Sequence, residues 1–398
     1  MKHFTLPKEG GLIEKDIPAD ILHSYEKIRT EIYEQSSVAS DKIADIIVNA
    51  INSCKDRNFK LGLTTGKTPA SLYARLTQLY KEGKVSFKNV EVFSIDEYYP
   101  YGRKAPQSRN QILHTSLLNA VDIKEENIHI PDGSIAPEKV SEYCAEFDKL
   151  ARGLDLLVIG MGEHGQVGFN EAGSSPSSRT RTVLLSYQSR KRQGKNFNGD
   201  FKHTPSEAIT LGLDTMHSAK KIILMAWGED KANAVKNVVE NAADLNYPAS
   251  FLQTHPDITC YVDETAASLM TRVVSPWLVG PCDWTRKFIR KAVVWLCQEV
   301  HKPILKLTLN DYLEHSLGEL IDKFGPYDKI NIEVFNDLQH TITGWPGGKP
   351  NADDSQRPVP ALPFPKTVLI FSPHPDDDVI SMGGTFIRLV HQGHNVHV

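Results

Sequence analysis

Between Ser37 and Ile159 the sequence repeats one pattern three times, a helical apolar stripe followed by a short branched apolar run, and that order narrows the choice of fold. Ile43, Ile46, Ile47, Ala50, Ile51 and Cys54 recur at the spacing of a helix lying on a sheet, and Phe59 to Leu63 reads as the strand after it. A helix is expected from near Pro69, then a strand from Val90 to Ile95, then a helix over 139–152 leading into a strand at Leu154 to Ile159. Further strands are expected at Ala208 to Leu213, Lys221 to Ala226 and Ile258 to Val262. The alternation predicts an α/β fold, a doubly wound and mostly parallel sheet with helices on both faces.

A chain of 398 residues exceeds one typical core, so more than one domain is expected. Residues 1–36 read as an N-terminal arm and 37–275 as the main domain. Over 276–344 the character turns helical: Trp284, Phe288, Val293, Trp295 and Leu296 mark one amphipathic helix, and 304–324 a second helical stretch. Residues 345–365 are a Pro/Gly-rich linker, and 366–398 open a second α/β domain that the chain does not complete. A formal charge of −4 gives no reason to expect a nucleic-acid or anionic-membrane surface. Neither a membrane span nor a signal peptide is readable, so a cytoplasmic location is expected. Cys54, Cys144, Cys260, Cys282 and Cys297 are odd in number, scattered and without paired metal spacing, and read as reduced thiols.

Chemistry gathers where the expected strands end. After Ile159, three closely spaced glycines let the backbone turn beside a ligand, and His164, Gln166, Asn170 and Glu171 follow. In an open α/β sheet that is the ligand-binding edge. Thr64 to Pro69 separates a strand from a helix, with Thr68 suited to the N-cap and Pro69 to the first helical turn. Such a loop is either an anion site, with Thr65, Gly66, Lys67 and Thr68 presenting donors, or a plain turn. It lacks the spacing of a Walker A loop. Asp96 and Glu97 end a third strand, where a carboxylate either caps a turn or moves a proton. Lys195 and Lys231 add cations that are either part of this edge or solvated surface.

Over residues 37–275 these segments, in this order, resemble the glucosamine-6-phosphate deaminase family, which shares its fold with the 6-phosphogluconolactonases. The run Phe169-Asn170-Glu171 is similar to the deaminase branch. The resemblance implies that Thr65, Gly66, Lys67, Thr68, Lys195 and Lys231 hold a sugar phosphate. Asp96 then matches the carboxylate that moves a proton between C1 and C2, and Glu171 a carboxylate of the ring-opening group. It implies conversion of glucosamine 6-phosphate to fructose 6-phosphate and ammonia, without a cofactor, on a small-molecule partner and in a chain that can be a homo-oligomer.

Two positions depart from the family pattern. Gln166 stands where the ring-opening His is usual, and an amide cannot shuttle a proton near neutral pH. His164 stands at the family's Asp position. The alternative expectation is therefore a catalytically impaired sugar-phosphate binding module attached to a deacetylase domain. Arg181 matches a basic residue of the family's allosteric enzymes, but Val183 replaces an expected Lys, so allosteric activation is not expected. The C-terminal piece resembles the start of an LmbE/PIG-L-type N-acetylglucosaminyl deacetylase. By that resemblance His374 and Asp377 are two zinc ligands and Asp376 the general base. The third ligand would lie beyond Val398, so zinc is implied only for a complete domain, and a longer two-domain protein is expected.

Overall fold

The computed structural model describes residues 11–12, 17–197, 199, 201, 203–343, 366–391 and 393–398. The chain divides into two units, one spanning Glu14–Gly280 and the other containing Pro281–Val398.

The first unit is built on a seven-stranded parallel sheet with an antiparallel three-stranded sheet beside it. In chain order its elements are β1 (Arg29–Tyr33), α1 (Ser36–Ser53), β2 (Phe59–Leu63), α2 (Ala70–Lys81), β3 (Val90–Ser94), β4 (Asp96–Tyr99) and α3 (Arg109–Ser116). There follow β5 (Ile128–His129), α4 (Val140–Ala151), β6 (Leu156–Gly160), β7 (Arg181–Leu184) and α5 (Tyr187–Gln193). The unit closes with β8 (Glu207–Thr210), α6 (Leu213–His217), β9 (Ile222–Ala226), α7 (Ala232–Val239) and β10 (Ile258–Asp263). The large sheet runs β1-β10-β9-β6-β2-β3-β5, and the small one β4-β8-β7.

Both faces of the large sheet are covered, as the apolar strands require. Leu157, Ile159, Ile222 and Leu224 point into one core, while Leu156, Val158, Ile223 and Met225 point into the other. On α1 the buried face is Ala39, Ser40, Ile43, Ala44, Ile47, Val48 and Ile51. Of the predicted stripe, Ile43, Ile47 and Ile51 lie on this face, while Ile46, Ala50 and Cys54 are half-buried at its edge.

Two expectations need correction. The predicted arm contains β1, which pairs in parallel with β10 from Arg29↔Thr259 to Tyr33↔Asp263, so the sheet begins before residue 37. The strand expected at Ala208 to Leu213 is real over Glu207–Thr210, but it pairs antiparallel with β4 and β7 rather than joining the large sheet. Its single run of Ala208 and Ile209 reads the same in either setting, and only the partners differ.

In the second unit, α8 (Arg286–Glu299), α9 (Leu309–Glu314), α10 (Gly318–Phe324) and α11 (Tyr327–Thr343) form the expected helical region. The expected single stretch over 304–324 is broken between α9 and α10, where Ser316 adopts a positive φ. The linker expected at 345–365 lies outside the described residues. Beyond it, β11 (Thr367–Leu369), α12 (Gly383–His391) and β12 (Asn395–His397) make one parallel strand-helix-strand unit. Among the described residues no helix is long and apolar enough to cross a membrane.

Candidate active site

Parallel pairing brings the carboxyl ends of β2, β3, β6 and β9 to one edge, and the candidate residues of the first unit fall in the loops that leave it. Register fixes the neighbours: Leu63 lies opposite Ser94 and Val158, and Gly160 opposite Met225.

The loop after β2 is tied down on two sides. Trp227, directly after β9, donates its indole N–H to the Thr68 carbonyl at 2.9 Å. Tyr73 of α2 donates its hydroxyl to the Thr64 carbonyl. At Gly160 an added β-carbon would lie 3.2 Å from Thr68 Cβ, so glycine there permits the close approach of β6 to the loop. Gly66, at φ 119°, and Lys67 are exposed, whereas Thr65 Oγ1 is buried without a hydrogen-bond partner among the described residues. The helix N-cap is Pro69, one residue later than expected, and the Thr68 side chain makes no cap bond. Thr68 is held by Gly160 and Trp227 instead.

Asp96 and Glu97 begin β4, and adjacent strand residues face opposite ways. Glu97 is spent on the backbone. Its Oε1 accepts from Tyr98 N at 2.7 Å and Arg109 N at 2.9 Å, and its Oε2 from Asn110 N at 2.9 Å, which satisfies the first turn of α3. Asp96 is 4% exposed and its Oδ1 has no hydrogen-bond partner among the described residues. The nearest charge is Arg109, whose Nε lies 3.5 Å from Asp96 Oδ1. Burial pushes the Asp96 carboxyl above its ordinary range, and Arg109 pulls in the other direction. Behind Asp96, Gly168 adopts φ 57°, and a β-carbon there would meet Thr210 Oγ1 at 2.8 Å and Asp96 Oδ2 at 3.5 Å.

Arg109 is itself buried against two adjoining rings, 4.7 Å from the Tyr98 centroid and 5.2 Å from that of Phe169. Burial raises the Tyr98 phenol to about 12, with Arg109 acting against that rise. Phe197 packs on Tyr98 at 5.5 Å, directly after the turn Gly194–Asn196 that carries the exposed Lys195. Lys231 is half-buried after β9, and its Nζ lies 2.5 Å from Asp230 Oδ2.

The loop after β6 closes on itself. Gly162 N donates to the Gln166 carbonyl at 2.8 Å, and His164 N donates to Gln166 Oε1 at 2.9 Å. A β-carbon at Gly162 would clash with the Gln166 amide, so that side chain lies folded over the loop. The His164 side chain is 59% exposed, with Nε2 3.5 Å from Glu163 Oε1. It points out of the loop rather than beside Asp96. Asn170 is fully buried. Its amide donates to the Val167 and Leu211 carbonyls, and its Oδ1 accepts from Arg181 at 3.0 Å. Glu171 Oε2 accepts from Ser186 N at 3.1 Å, while its Oε1 is buried and unpartnered among the described residues.

Thr65 Oγ1, Asp96 Oδ1, Arg109 Nε, Asn110 Nδ2 and Glu171 Oε1 are thus buried polar atoms without hydrogen-bond partners among the described residues. Such atoms are costly, and their gathering on loops and helix starts around one sheet edge fits a ligand rich in hydroxyls. Arg109, Tyr73 and Trp227 went unread in the sequence. Trp227 alone carried a signal, since it directly follows a strand on the ligand-binding side.

In the second unit, His374 Nδ1 lies 2.9 Å from Asp377 Oδ2, and Asp376 precedes the short helix Asp377–Ile380. Among the described residues no group of three or more His, Cys, Asp or Glu side chains gathers as a metal cluster. A catalytic zinc needs three protein ligands, so the two donors here do not by themselves fit that ion.

A family model described as glucosamine-6-phosphate isomerases/6-phosphogluconolactonase matches residues 34–260. A glucosamine-6-phosphate deaminase-like protein of Bacteroides thetaiotaomicron is 47% identical over 390 residues, which is 97% of this chain but 59% of that relative's length. The glucosamine-6-phosphate deaminase of Thermoanaerobacter pseudethanolicus is 37% identical over 246 residues, covering 61% of this chain and 94% of that relative. Among solved structures, a monomeric glucosamine-6-phosphate deaminase superposes with a TM-score of 0.58 at 31% identity, covering 61% of this chain and all of the other. With its parallel sheet and the loops at that sheet's carboxyl edge, the chain belongs to the family of glucosamine-6-phosphate isomerases and 6-phosphogluconolactonases.

Proposed function

We propose that the first unit converts glucosamine 6-phosphate to fructose 6-phosphate and ammonia. The observation that carries this reading is Asp96, a buried carboxylate with an unpartnered oxygen at the end of a parallel strand. Binding alone would not require it. Thr65, Gly66, Lys67 and Thr68 hold the phosphate, joined by Lys195 and Lys231. In the open-chain sugar Asp96 takes the proton from C2, the electron pair of that C–H bond forms the C1–C2 double bond, and the C1=O π pair moves onto O1, which takes a proton from solvent. Asp96 returns the proton to C1, which leaves an imine at C2. Water adds to C2, the C–N bond breaks, and ammonia leaves. A carboxyl group raised by burial suits a base that must also give its proton back.

A second reading, a sugar-phosphate binding module, is favoured by the loop after β6. Gln166 holds the His164 backbone N–H and the His164 ring faces solvent, so neither side chain is set to open a pyranose ring. Ammonia release from glucosamine 6-phosphate by the parent, Asp96→Asn and Gln166→His separates the two. Activity in the parent that Asp96→Asn abolishes supports the enzyme. A silent parent that gains activity in Gln166→His supports the binding module.

A further inference from the structure

The buried Arg109 beside Asp96 has no part in the chemistry set out above. Arg109 is 6% exposed, its guanidinium lies against the adjoining Tyr98 and Phe169 rings, and its Nε approaches Asp96 Oδ1 to 3.5 Å without a hydrogen bond. Three devices fix it. Its backbone N–H is bound by Glu97, the Ser108 hydroxyl caps the same turn by accepting from Gln111 N at 3.0 Å, and the two rings restrict the planar group. A cation held this firmly beside a carboxylate, but short of bonding it, supplies field without occupying the oxygen.

We propose that Arg109 is a positioning residue for Asp96: it keeps the carboxylate ionised inside an apolar pocket while leaving Oδ1 free to accept a proton from the substrate carbon. The inference rests on reading Asp96 as the proton-transfer base. Other groups facing Asp96 do not supply this charge. From α2 the Tyr73 phenol is held above its ordinary range by burial and then by Asp96 itself, so it stays neutral. Tyr98 on the same strand is likewise neutral near pH 7. Glu97, pushed above its ordinary range by burial, is bound to backbone, and Tyr98, Asp96 and Glu97 hold the Arg109 cation charged against the cost of its burial. From β8 and the loop after β6, Thr210 and Gly168 lie beside Asp96 and carry no charge, and among the described residues Arg109 is the charge that acts on Asp96.

The test is a carbon-13 titration of the Asp96 carboxyl in the full chain, assigned with Asp96→Asn, in the parent, Arg109→Gln and Arg109→Lys. Ammonia release is followed across the same pH range. Without the guanidinium, Asp96 should titrate about one to three pH units higher, and the acidic limb of the rate should move with it. Arg109→Lys keeps the charge but not the planar group packed on the rings, and should restore part of the shift. It also keeps the proposal open to test if Arg109→Gln fails to fold, since an Asp96 titration unchanged in Arg109→Lys would overturn the role of the placed guanidinium. Unchanged titration in a folded Arg109→Gln overturns the proposal as a whole. The carboxyl titration is read without turnover, so a parent that releases no ammonia defeats the deaminase reading while the titration still decides whether Arg109 controls the charge on Asp96.

Discussion

The indole N–H of Trp227 is bonded to the Thr68 carbonyl at 2.9 Å, so the end of β9 holds the loop that follows β2. The bond joins two strand ends that β6 separates in the sheet. Trp227→Phe keeps the ring packing and removes only the donor. One hydrogen bond contributes about 1 kcal/mol net, so KM for glucosamine 6-phosphate should rise about fivefold with little change in kcat. Steady-state kinetics of the two proteins check this, and an unchanged KM would mean that the loop holds its shape without the indole.

Burial raises the folded-state pKa of Asp96. The native state therefore binds that proton more tightly than the unfolded chain, and stability falls as pH rises from the unfolded value, about 3.9, through the raised folded value. Asp96→Asn removes this contribution. Its melting temperature should gain on that of the parent as pH rises from 4 to 8, even as activity is lost. Parallel thermal melts across that range would show the two curves converging or crossing; curves that stay parallel would contradict the linkage.

His164 and Gln166 should respond in opposite ways to substitution. His164 is exposed and rests on Glu163, so His164→Ala should leave ammonia release within about twofold, as surface changes usually do. Gln166→His places a titratable ring where the amide now lies, and should raise the rate on the ring form of the sugar more than on an open-chain analogue. A large loss in His164→Ala would instead mark that ring as the proton carrier.

Glu97→Ala should cost about 3 kcal/mol or more, because three N–H groups lose their acceptor in a buried setting. Urea unfolding measures it. The loss should exceed that of Glu97→Gln, whose remaining amide oxygen still accepts from part of the set.

Much of this fold was legible because the large sheet is buried on both faces, and its strands are written as short branched runs. The runs expected at Phe59 to Leu63 and Lys221 to Ala226 match the strands Phe59–Leu63 and Ile222–Ala226 to within one residue. β1 was hidden because Arg29, Glu31 and Tyr33 give an edge strand a mixed surface that resembles a polar arm. At the candidate site, Asp96 and the Thr65 to Thr68 loop were legible as candidates because strand ends announce themselves. Arg109 was not. Its neighbours in space, Tyr98 and Phe169, lie 11 and 60 residues away in sequence, and an arginine just inside a helix usually faces water. The direction of His164 was equally unreadable, since it depends on how five residues from Gly162 to Gln166 close on themselves.

Asp96 and Glu97 are neighbours of the same chemical kind, yet one is saturated by backbone donors and the other keeps an oxygen free. What separates them is only which way each points from β4, and that is decided by pairing with Thr210 and Ile209 of β8. A slip of one residue in that small sheet would exchange the two fates, turning the proposed base into a cap and the cap into a misplaced acid. The minor sheet thus acts as an alignment key for the proposed chemistry. Insertions that the outer loops of the large sheet can absorb should be forbidden in the few residues between Ser94 and Pro100.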